Sequence, residues 1–376
     1  MIGTLRVSLG ALRQNVELLR TLVGPTHAAF VVKGNAYGHG AVDVALAIEG
    51  LAAKLCVYSL DEALELRDGG ITAPILVMGP IPPMDLDAAM HAKIEVALWD
   101  TKGYVHDVAA AAKRSHRRVP AHVKVNTGLN RLGLAPQELG DALEDYVKLP
   151  DIEIAGVFSH LAAAEELDSP FTMQQLERFN RAYTAAEPIL AGRGALPIRH
   201  IAASAAAMLW PQTRLDMSRF GIALYGLWPS AQTREAMNGG KLSLRPALSY
   251  VTKLVAVQSI AAGEPVGYGT TYHTPRATRI GVIPLGYADG IPRSLSNKGA
   301  VLIEGVRCAI VGRVAMNMAY VDLTHAPKAH VGSTVTLIGR DGDAEIAADD
   351  WASWSDTINY EIVTRLPSTL AREFTE

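Results

Sequence analysis

At 376 residues the chain is longer than one hydrophobic core usually sustains, so its length asks for two domains. Hydrophobic residues at 49% and charged residues at 19% exclude an extended disordered or fibrous chain. A net charge of -3, without any run of like charges, gives no electrostatic handle for nucleic acid or an anionic membrane and leaves a small molecule as the expected ligand.

The first six residues lack a basic stretch followed by an apolar run, so no secretory leader is expected and the cytoplasm is the expected location. Cys56 and Cys308 lie far apart and match neither a disulfide framework nor metal-ligand spacing; both read as reduced thiols, with no metal implied. The longest uncharged stretch, Ile71 to Met84, is interrupted by Pro74, Pro80, Pro82 and Pro83 and makes a poor membrane helix. Ser8 to Leu22 places Leu9, Leu12, Val16 and Leu19 on one helical face behind a serine suited to cap it.

Short β-branched runs then alternate with longer helical patterns. The predicted strands are Ala29 to Lys33, Leu55 to Ser59, Ile75 to Gly79, Ile94 to Leu98, Ala121 to Asn126, Ile152 to Ser159, Ile198 to Ala202 and Met217 to Ala223. Eight such runs within about two hundred residues predict an α/β fold, a closed (β/α)₈ barrel of the TIM type spanning 1–232. After Trp228 the pattern changes. Ser249 to Val257, Thr278 to Pro284, Ala300 to Ile303, Ala309 to Val311, Ala319 to Leu323 and Thr334 to Leu337 are separated by turn residues with no room for helices. A mostly β domain over 233–376 is expected, joined by a linker within Pro229 to Lys241 that contains Asn238-Gly239-Gly240.

In a barrel of this kind the loops after the strands converge at one end. Lys33 ends the first strand, Arg131 follows the fifth, His160 ends the sixth, Ser204 follows the seventh, and Arg219-Phe220-Gly221-Ile222 closes the eighth. A lysine at the end of the apolar run Ala29-Phe30-Val31-Val32 sits where desolvation lowers its pKa and frees a nucleophilic amine. A lysine alone would equally suit snorkelling to solvent. The residues that follow favour chemistry: Gly34, Gly38 and Gly40 make a loop whose backbone can approach a phosphate, and Tyr37 has a phenol to donate.

The whole segment Val31-Val32-Lys33-Gly34-Asn35-Ala36-Tyr37-Gly38-His39-Gly40 is similar to the cofactor-attachment motif of the alanine racemases. The resemblance covers nearly the full chain. It continues in His122-Val123-Lys124-Val125-Asn126-Thr127-Gly128-Leu129-Asn130-Arg131-Leu132-Gly133 and Arg219-Phe220-Gly221-Ile222-Ala223-Leu224-Tyr225-Gly226. Val266-Gly267-Tyr268-Gly269, Gly286-Tyr287-Ala288-Asp289-Gly290 and Ile358-Asn359-Tyr360-Glu361 complete it, in family order.

The resemblance implies a racemase that uses pyridoxal 5'-phosphate (PLP), attached to Lys33, and interconverts L- and D-alanine for cell-wall precursor synthesis. Tyr37, Ser204, Gly221, Ile222 and Tyr360 would hold the phosphate through hydroxyls and backbone amides. Arg219 would meet the pyridine nitrogen; a guanidinium, with a pKa above about 12, keeps its proton, so the ring stays neutral and a weaker electron sink, which suits racemisation over transamination. His160 would bond that arginine and lie near the ring.

Racemisation needs an acid/base group on each face of Cα. The resemblance assigns Lys33 to one and Tyr268 to the other, the tyrosine coming from the second subunit of a head-to-tail homodimer. A free phenol, with a pKa of about 10, needs cationic neighbours to serve as a base at neutral pH. Arg131 would reach the cofactor's phenolic oxygen and the substrate carboxylate, and the matching position of Lys124 is carbamylated in many relatives. The backbone amide of Met316 would meet the substrate carboxylate across the dimer, and Tyr287, Arg293 and Arg313 match the family's substrate entrance.

Ordinary structural roles remain open for several of these: a small helix-start residue at Ser204, a half-buried core tyrosine at Tyr360, a hydrogen-bonded core histidine at His160, a rim salt bridge at Arg219, a carboxylate-paired lysine at Lys124, a cross-strand aromatic at Tyr268, core packing at Met316. The chain also departs from the family. Asn317 and Asn126 stand where aspartates are usual, Ala203 replaces a frequent asparagine, and no arginine follows Pro367; loss of the two carboxylates puts rate and substrate preference in doubt more than reaction type. A racemase of broader range, or one acting on serine or lysine, shares the framework. A decarboxylase of like architecture would need a motif-placed C-terminal cysteine, which Cys308 is not, and a non-catalytic PLP carrier would not need the second domain that holds Tyr268.

Overall fold

The computed structural model describes residues 3–100, 103–191, 195–237 and 242–376. The Asn238-Gly239-Gly240 linker lies outside them. Contacts divide the chain into two compact units interleaved in sequence: Leu12–Gly34 with Ala41–Arg245, and Met1–Ala11 with Asn35–Gly40 and Pro246–Glu376.

The first unit is the barrel. Its parallel strands, in spatial order, are Ile198–His200, Ile152–Phe158, Val119–Lys124, Ile94–Leu98, Ile75–Val77, Lys54–Val57, His27–Val31 and Met217–Phe220. All eight predicted runs overlap one of them; three strands begin one or two residues before the run, and most end a residue or two early because the chain leaves the sheet to build the loops above it. The ladder does not run continuously between Ile198–His200 and Met217–Phe220. Two backbone bonds bridge the gap there, from the Asp216 amide to the Arg199 carbonyl and from the Arg219 amide to the Ala202 carbonyl, each 3.1 Å.

The strands are buried on both faces, as parallel strands under a coat of helices must be. Helix Leu9–Val23 shows how the coat forms. The Ala11 amide donates to Ser8 Oγ at 3.1 Å, which caps the helix, and Leu12, Val16 and Leu19 are fully buried at helical spacing. Burial of each such side chain is worth roughly 1.5–3 kcal/mol. Asn15 on the same helix is also buried; its Nδ2 donates to the Leu224 and Arg245 carbonyls at 3.0 and 2.8 Å, so its polarity is satisfied.

The second unit is mostly β. One sheet runs Val306–Ala309, Ala300–Ile303, Thr334–Asp341, Leu248–Lys253, Gly3–Ser8, Ala371–Thr375, with Ala344–Ile346 also on Thr334–Asp341; a second runs Ala256–Ile260, Thr278–Ile283, Ala319–Asp322. The predicted run Ser249 to Val257 thus divides between two sheets, broken at Leu254 and Val255. Helices Ala348–Ser355 and Asn359–Thr364 were not predicted, nor were the edge strand Ala371–Thr375 and the N-terminal strand Gly3–Ser8. Gly3–Ser8 pairs antiparallel with Leu248–Lys253 and parallel with Ala371–Thr375, so its register depends on residues at the other end of the chain. Tyr250 and Trp351 are fully buried here, ring centroids 6.5 Å apart.

Candidate active site

Parallel strands deliver the loops after their C-terminal ends to one end of the barrel, and the site is built there. Strand His27–Val31 stops two residues before Lys33, and the chain then turns left-handed: φ is +63° at Gly34, +53° at Asn35 and +52° at both Ala36 and Tyr37. Three consecutive non-glycine residues in this region cost roughly 1–2 kcal/mol each, so the turn needs outside support.

Glu62 supplies it on the barrel side. Its Oε1 accepts from the Gly34 amide at 2.6 Å, and its Oε2 accepts from the Tyr58 and Ser59 amides at 2.7 and 3.1 Å. Ser59 and Glu62 form the capping box of helix Leu60–Asp68, so one carboxylate both starts that helix and pins the backbone beside Lys33. The Lys33 amine is half-buried. Burial lowers its pKa, the charge of Arg131 lowers it further, and Glu62 opposes them.

Lys124 ends the strand Val119–Lys124 with its Nζ 5.4 Å from the centroid of Phe158. Burial, then the charges of Arg131, Arg219 and Lys33, bring it down to about 8; every charged group that shifts it is a cation. Arg131 is exposed, on a loop shaped by Asn126. Asn126 Oδ1 accepts from the Gly128 and Asn130 amides at 3.2 and 2.9 Å, and its Nδ2 donates to Asn130 Oδ1 at 3.1 Å. The amide accepts as an aspartate would in this turn, and it adds a donor that an aspartate lacks.

Arg219, only 3% exposed, lies within Met217–Phe220. Its Nη2 donates to the carbonyls of Ser159 and Ile201 at 2.9 and 3.3 Å and its Nη1 donates to His200 Nδ1 at 2.7 Å, while His160 Nδ1 is 3.3 Å from Nη2. Its guanidinium carbon sits 5.6 Å from the centroid of Phe158. Burial takes its pKa to about 10, which leaves it charged at neutral pH. Burial, with Arg219 next, drives His160 down to about 3, so that ring is neutral and can accept. Ser204 opens helix Ser204–Leu209; its Oγ accepts from the Gly221 amide at 3.1 Å, just before the turn Ile222–Tyr225. Ala203, at the start of that helix, makes no side-chain cap bond.

In the β-rich unit Tyr37 and Tyr360 are neighbours, ring centroids 6.2 Å apart. Burial raises Tyr37 to about 12, so its phenol keeps a proton to donate. Gly38 shows why a glycine stands there. Its φ is +84°, a Cβ would fall 2.1 Å from the Val363 carbonyl oxygen, and its own carbonyl accepts from Arg372 Nη2 and Nε at 2.9 and 3.1 Å. The close approach at Gly38 is thus to the backbone of Val363.

Tyr268, Tyr287, Arg313 and Met316 gather on loops of this unit. A Cβ at Gly269 would lie 3.0 Å from the Arg313 guanidinium, and the Tyr287 and Ala288 amides donate to the Ala315 and Met316 carbonyls at 3.0 and 2.9 Å. The Asn297 and Ser296 side chains accept from the Gly312 and Val314 amides, tying the turn Arg293–Leu295 to the Arg313 loop. Tyr268 is 71% exposed and Met316 56%. Asn317 Nδ2 donates to Asp289 Oδ2 at 3.3 Å, and that oxygen also accepts from the Gly286 amide at 2.9 Å.

Sequence reasoning gave no role to Glu62, Asp289, Lys54, Glu95, His122 or His200. His122 and Lys124 alternate at strand spacing and so share the barrel's inner face, which was the available signal for the first of the interior residues.

Lys33, Lys124, Arg131 and Arg219 are electrostatically coupled in one unit, and Glu62 is the carboxylate acting on Lys33. Together with the Ser204 hydroxyl, the set suits a ligand carrying several anionic groups and an aldehyde for an amine of lowered pKa. PLP and an amino-acid carboxylate meet that description, and a pyridine nitrogen can accept from Arg219.

Residues 7–229 match the family profile described as alanine racemase, N-terminal domain, and residues 247–374 match alanine racemase, C-terminal domain. The chain is 42% identical over 372 residues to the alanine racemase of Symbiobacterium thermophilum, covering 97% of this chain and 95% of that protein. The crystal structure of alanine racemase from D-cycloserine producing Streptomyces lavendulae is similar with a TM-score of 0.93 at 35% identity, covering 100% of this chain and 97% of that one. That of alanine racemase from Bacillus anthracis with bound L-Ala-P has a TM-score of 0.89 at 34% identity, covering 100% and 95%.

Lys124 should titrate as a reactive amine. Below about pH 8 it is protonated and inert, and above it the free amine is exposed to electrophiles. Acylation of the cofactor-free protein followed by peptide mass spectrometry should give a rate profile for Lys124 with its midpoint near pH 8, and a midpoint at the ordinary lysine value would contradict the electrostatic picture.

Proposed function

This chain belongs to the alanine racemase family and is an isomerase acting on alanine, and we propose that it works with PLP carried on Lys33. The observation that carries this reading is a half-buried strand-end amine whose pKa is lowered by burial and by Arg131, coupled to Lys124 and Arg219 at the same end of the barrel.

Bound there, the cofactor supplies an aldehyde for that amine and a ring that withdraws electrons from Cα. Arg219 would donate to the ring nitrogen and keep its own proton, which would leave the ring uncharged and limit loss of the amino group. His160, which bonds Arg219, would neighbour that ring. The phosphate is taken in the barrel unit by the Ser204 hydroxyl and the amides of Gly221 and Ile222, and the phenols of Tyr37 and Tyr360 in the other unit carry the same assignment. Arg131 orients the phenolic oxygen and the substrate carboxylate. The low pKa of Lys124 favours its reaction with carbon dioxide, which would convert a cation beside Arg131 into an anion that steadies it.

Lys33 moves the proton on one face of Cα, and Tyr268 of a partner subunit moves it on the other. The exposure of Tyr268, Tyr287 and Met316 supports a head-to-tail homodimer that covers them, with the Met316 amide meeting the substrate carboxylate and Tyr287, Arg293 and Arg313 narrowing the entrance to small amino acids. Asn317 bonds to Asp289, so a carboxylate remains beside it although the residue itself carries none. Among the described residues no helix is long and apolar enough to cross a membrane, and we assign the enzyme to the cytoplasm, where it would supply D-alanine for cell-wall precursors.

Borohydride treatment of the holoenzyme should fix the cofactor to the single peptide that holds Lys33, as read by mass spectrometry; an adduct on another lysine would refute the anchor. Tyr268→Phe should lower inversion by about 10²–10⁴-fold while one enantiomer still exchanges its Cα hydrogen with solvent deuterium, followed by proton NMR. Undiminished inversion would remove Tyr268 from the reaction.

A further inference from the structure

The interior of this barrel holds a line of polar side chains where such barrels usually stack branched aliphatic residues. From Arg219 it runs through His200, His122 and Glu95 to Lys54, and all five are buried. Arg219 Nη1 meets His200 Nδ1 at 2.7 Å, His200 Nε2 meets His122 Nδ1 at 2.8 Å, His122 Nε2 meets Glu95 Oε2 at 2.9 Å, and Lys54 Nζ is bonded to the same carboxylate oxygen. Arg219 and His200 lie toward the C-terminal ends of their strands, whereas Lys54 opens its strand and Glu95 is second in its own, so the line crosses the barrel from the site toward the opposite end.

Arginine fixes the direction of every bond in it. A guanidinium has donors only, so His200 Nδ1 must accept and the proton of that neutral ring sits on Nε2. His200 Nε2 then donates to His122 Nδ1, and His122 Nε2 donates to Glu95. Lys54 Nζ lies 3.4 Å from His122 Nε2, but a bond there would turn His122 round and leave two donors facing each other at Arg219. Burial first, then cationic neighbours, hold both histidines below their ordinary value, so they stay uncharged. Burial alone would raise Glu95, but the His122 bond and the Lys54 charge outweigh it and keep the carboxyl ionised. Space for the relay is reserved as well: a Cβ on Gly156 would fall 2.2 Å from His122 Nδ1, and Phe158 stacks on His200 with ring centroids 4.9 Å apart and planes 1° from parallel.

We propose that Glu95, with Lys54 as its counter-cation, is the anionic end of a directed relay through His122 and His200 that holds Arg219 in place and charged, making these four positioning residues for the racemase. The proposal rests on Arg219 facing the cofactor ring. Loss of the anionic end lets the guanidinium shift, weakens the donor at the ring, and favours the side reaction in which alanine would pass its amino group to the cofactor's aldehyde carbon, take the oxygen and leave oxidised as pyruvate, the cofactor being reduced to the amine.

The test has two arms. In ¹⁵N-histidine-labelled holoenzyme, assigned with single His→Gln variants, His122 and His200 should both be neutral with the proton on Nε2 at neutral pH and above. A proton on Nδ1 of either ring, or a charged ring, overturns the relay whatever the cofactor does. In the second arm Glu95→Gln is made together with Lys54→Met, so that no buried ammonium is left unpaired. The ratio of pyruvate formed to alanine inverted should rise roughly tenfold, one pKa unit's worth, with KM little changed. An unchanged ratio in the folded double variant, where Arg219→Lys raises it, overturns the proposal. Arg219→Lys is the control: if it too leaves the ratio unmoved while the tautomers are as stated, the assignment of Arg219 to the ring has failed and the relay has not.

Discussion

A guanidinium removed from water must be solvated by whatever surrounds it, and Arg219 is removed almost completely. Its donors are met by the Ser159 and Ile201 carbonyls and by the rings of His200 and His160. Much else follows from that one placement. The histidines must present acceptors to it, which fixes their tautomers, and the barrel strand bearing Gly156 must leave room for His122. Ser159 and Ile201 lie just beyond strands Ile152–Phe158 and Ile198–His200, so the arginine also ties together the ends of strands near the place where the barrel ladder is interrupted.

The second constraint is crowding of like charge. At an effective dielectric constant of about 20, two unit charges some 5 Å apart repel by about 3 kcal/mol, enough to change which amine holds a proton. Beyond burial, Arg131 presses on Lys33, and Arg131, Arg219 and Lys33 press on Lys124; the arginines do not yield their protons, so the lysines are the groups brought down. A site arranged in this way prepares nucleophilic amines and attracts anions by the same means. Glu62 adds a local exception: it accepts the Gly34 amide and supports a left-handed turn that places Lys33 at its start.

The barrel was legible because each strand there is a compact apolar run followed by turn residues, a signal contained in a short window. Gly3–Ser8 was not, since only Leu5 and Val7 mark its inward face and its partners lie at Leu248–Lys253 and Ala371–Thr375. Ser249 to Val257 read as one strand because nothing in its composition announces the break at Leu254. In the site, Lys33, Tyr37, Arg131 and Arg219 stand in distinctive local segments that the eye can isolate. Lys54 and Glu95 are single polar letters beside apolar runs, and His200 follows Arg199 on a third strand; only the barrel brings the three together. Asn126 and Asn317 read as lost carboxylates, whereas the first caps a turn through its own amide and the second bonds to Asp289.

Under the proposed function the buried guanidinium keeps its proton and the cofactor ring carries none. Enzyme reconstituted with PLP labelled with ¹⁵N in the ring reports this directly by NMR. The expected shift is that of an unprotonated pyridine nitrogen that accepts a hydrogen bond, moving toward a free pyridine when Arg219 is replaced by alanine. A pyridinium shift in the parent enzyme would contradict it.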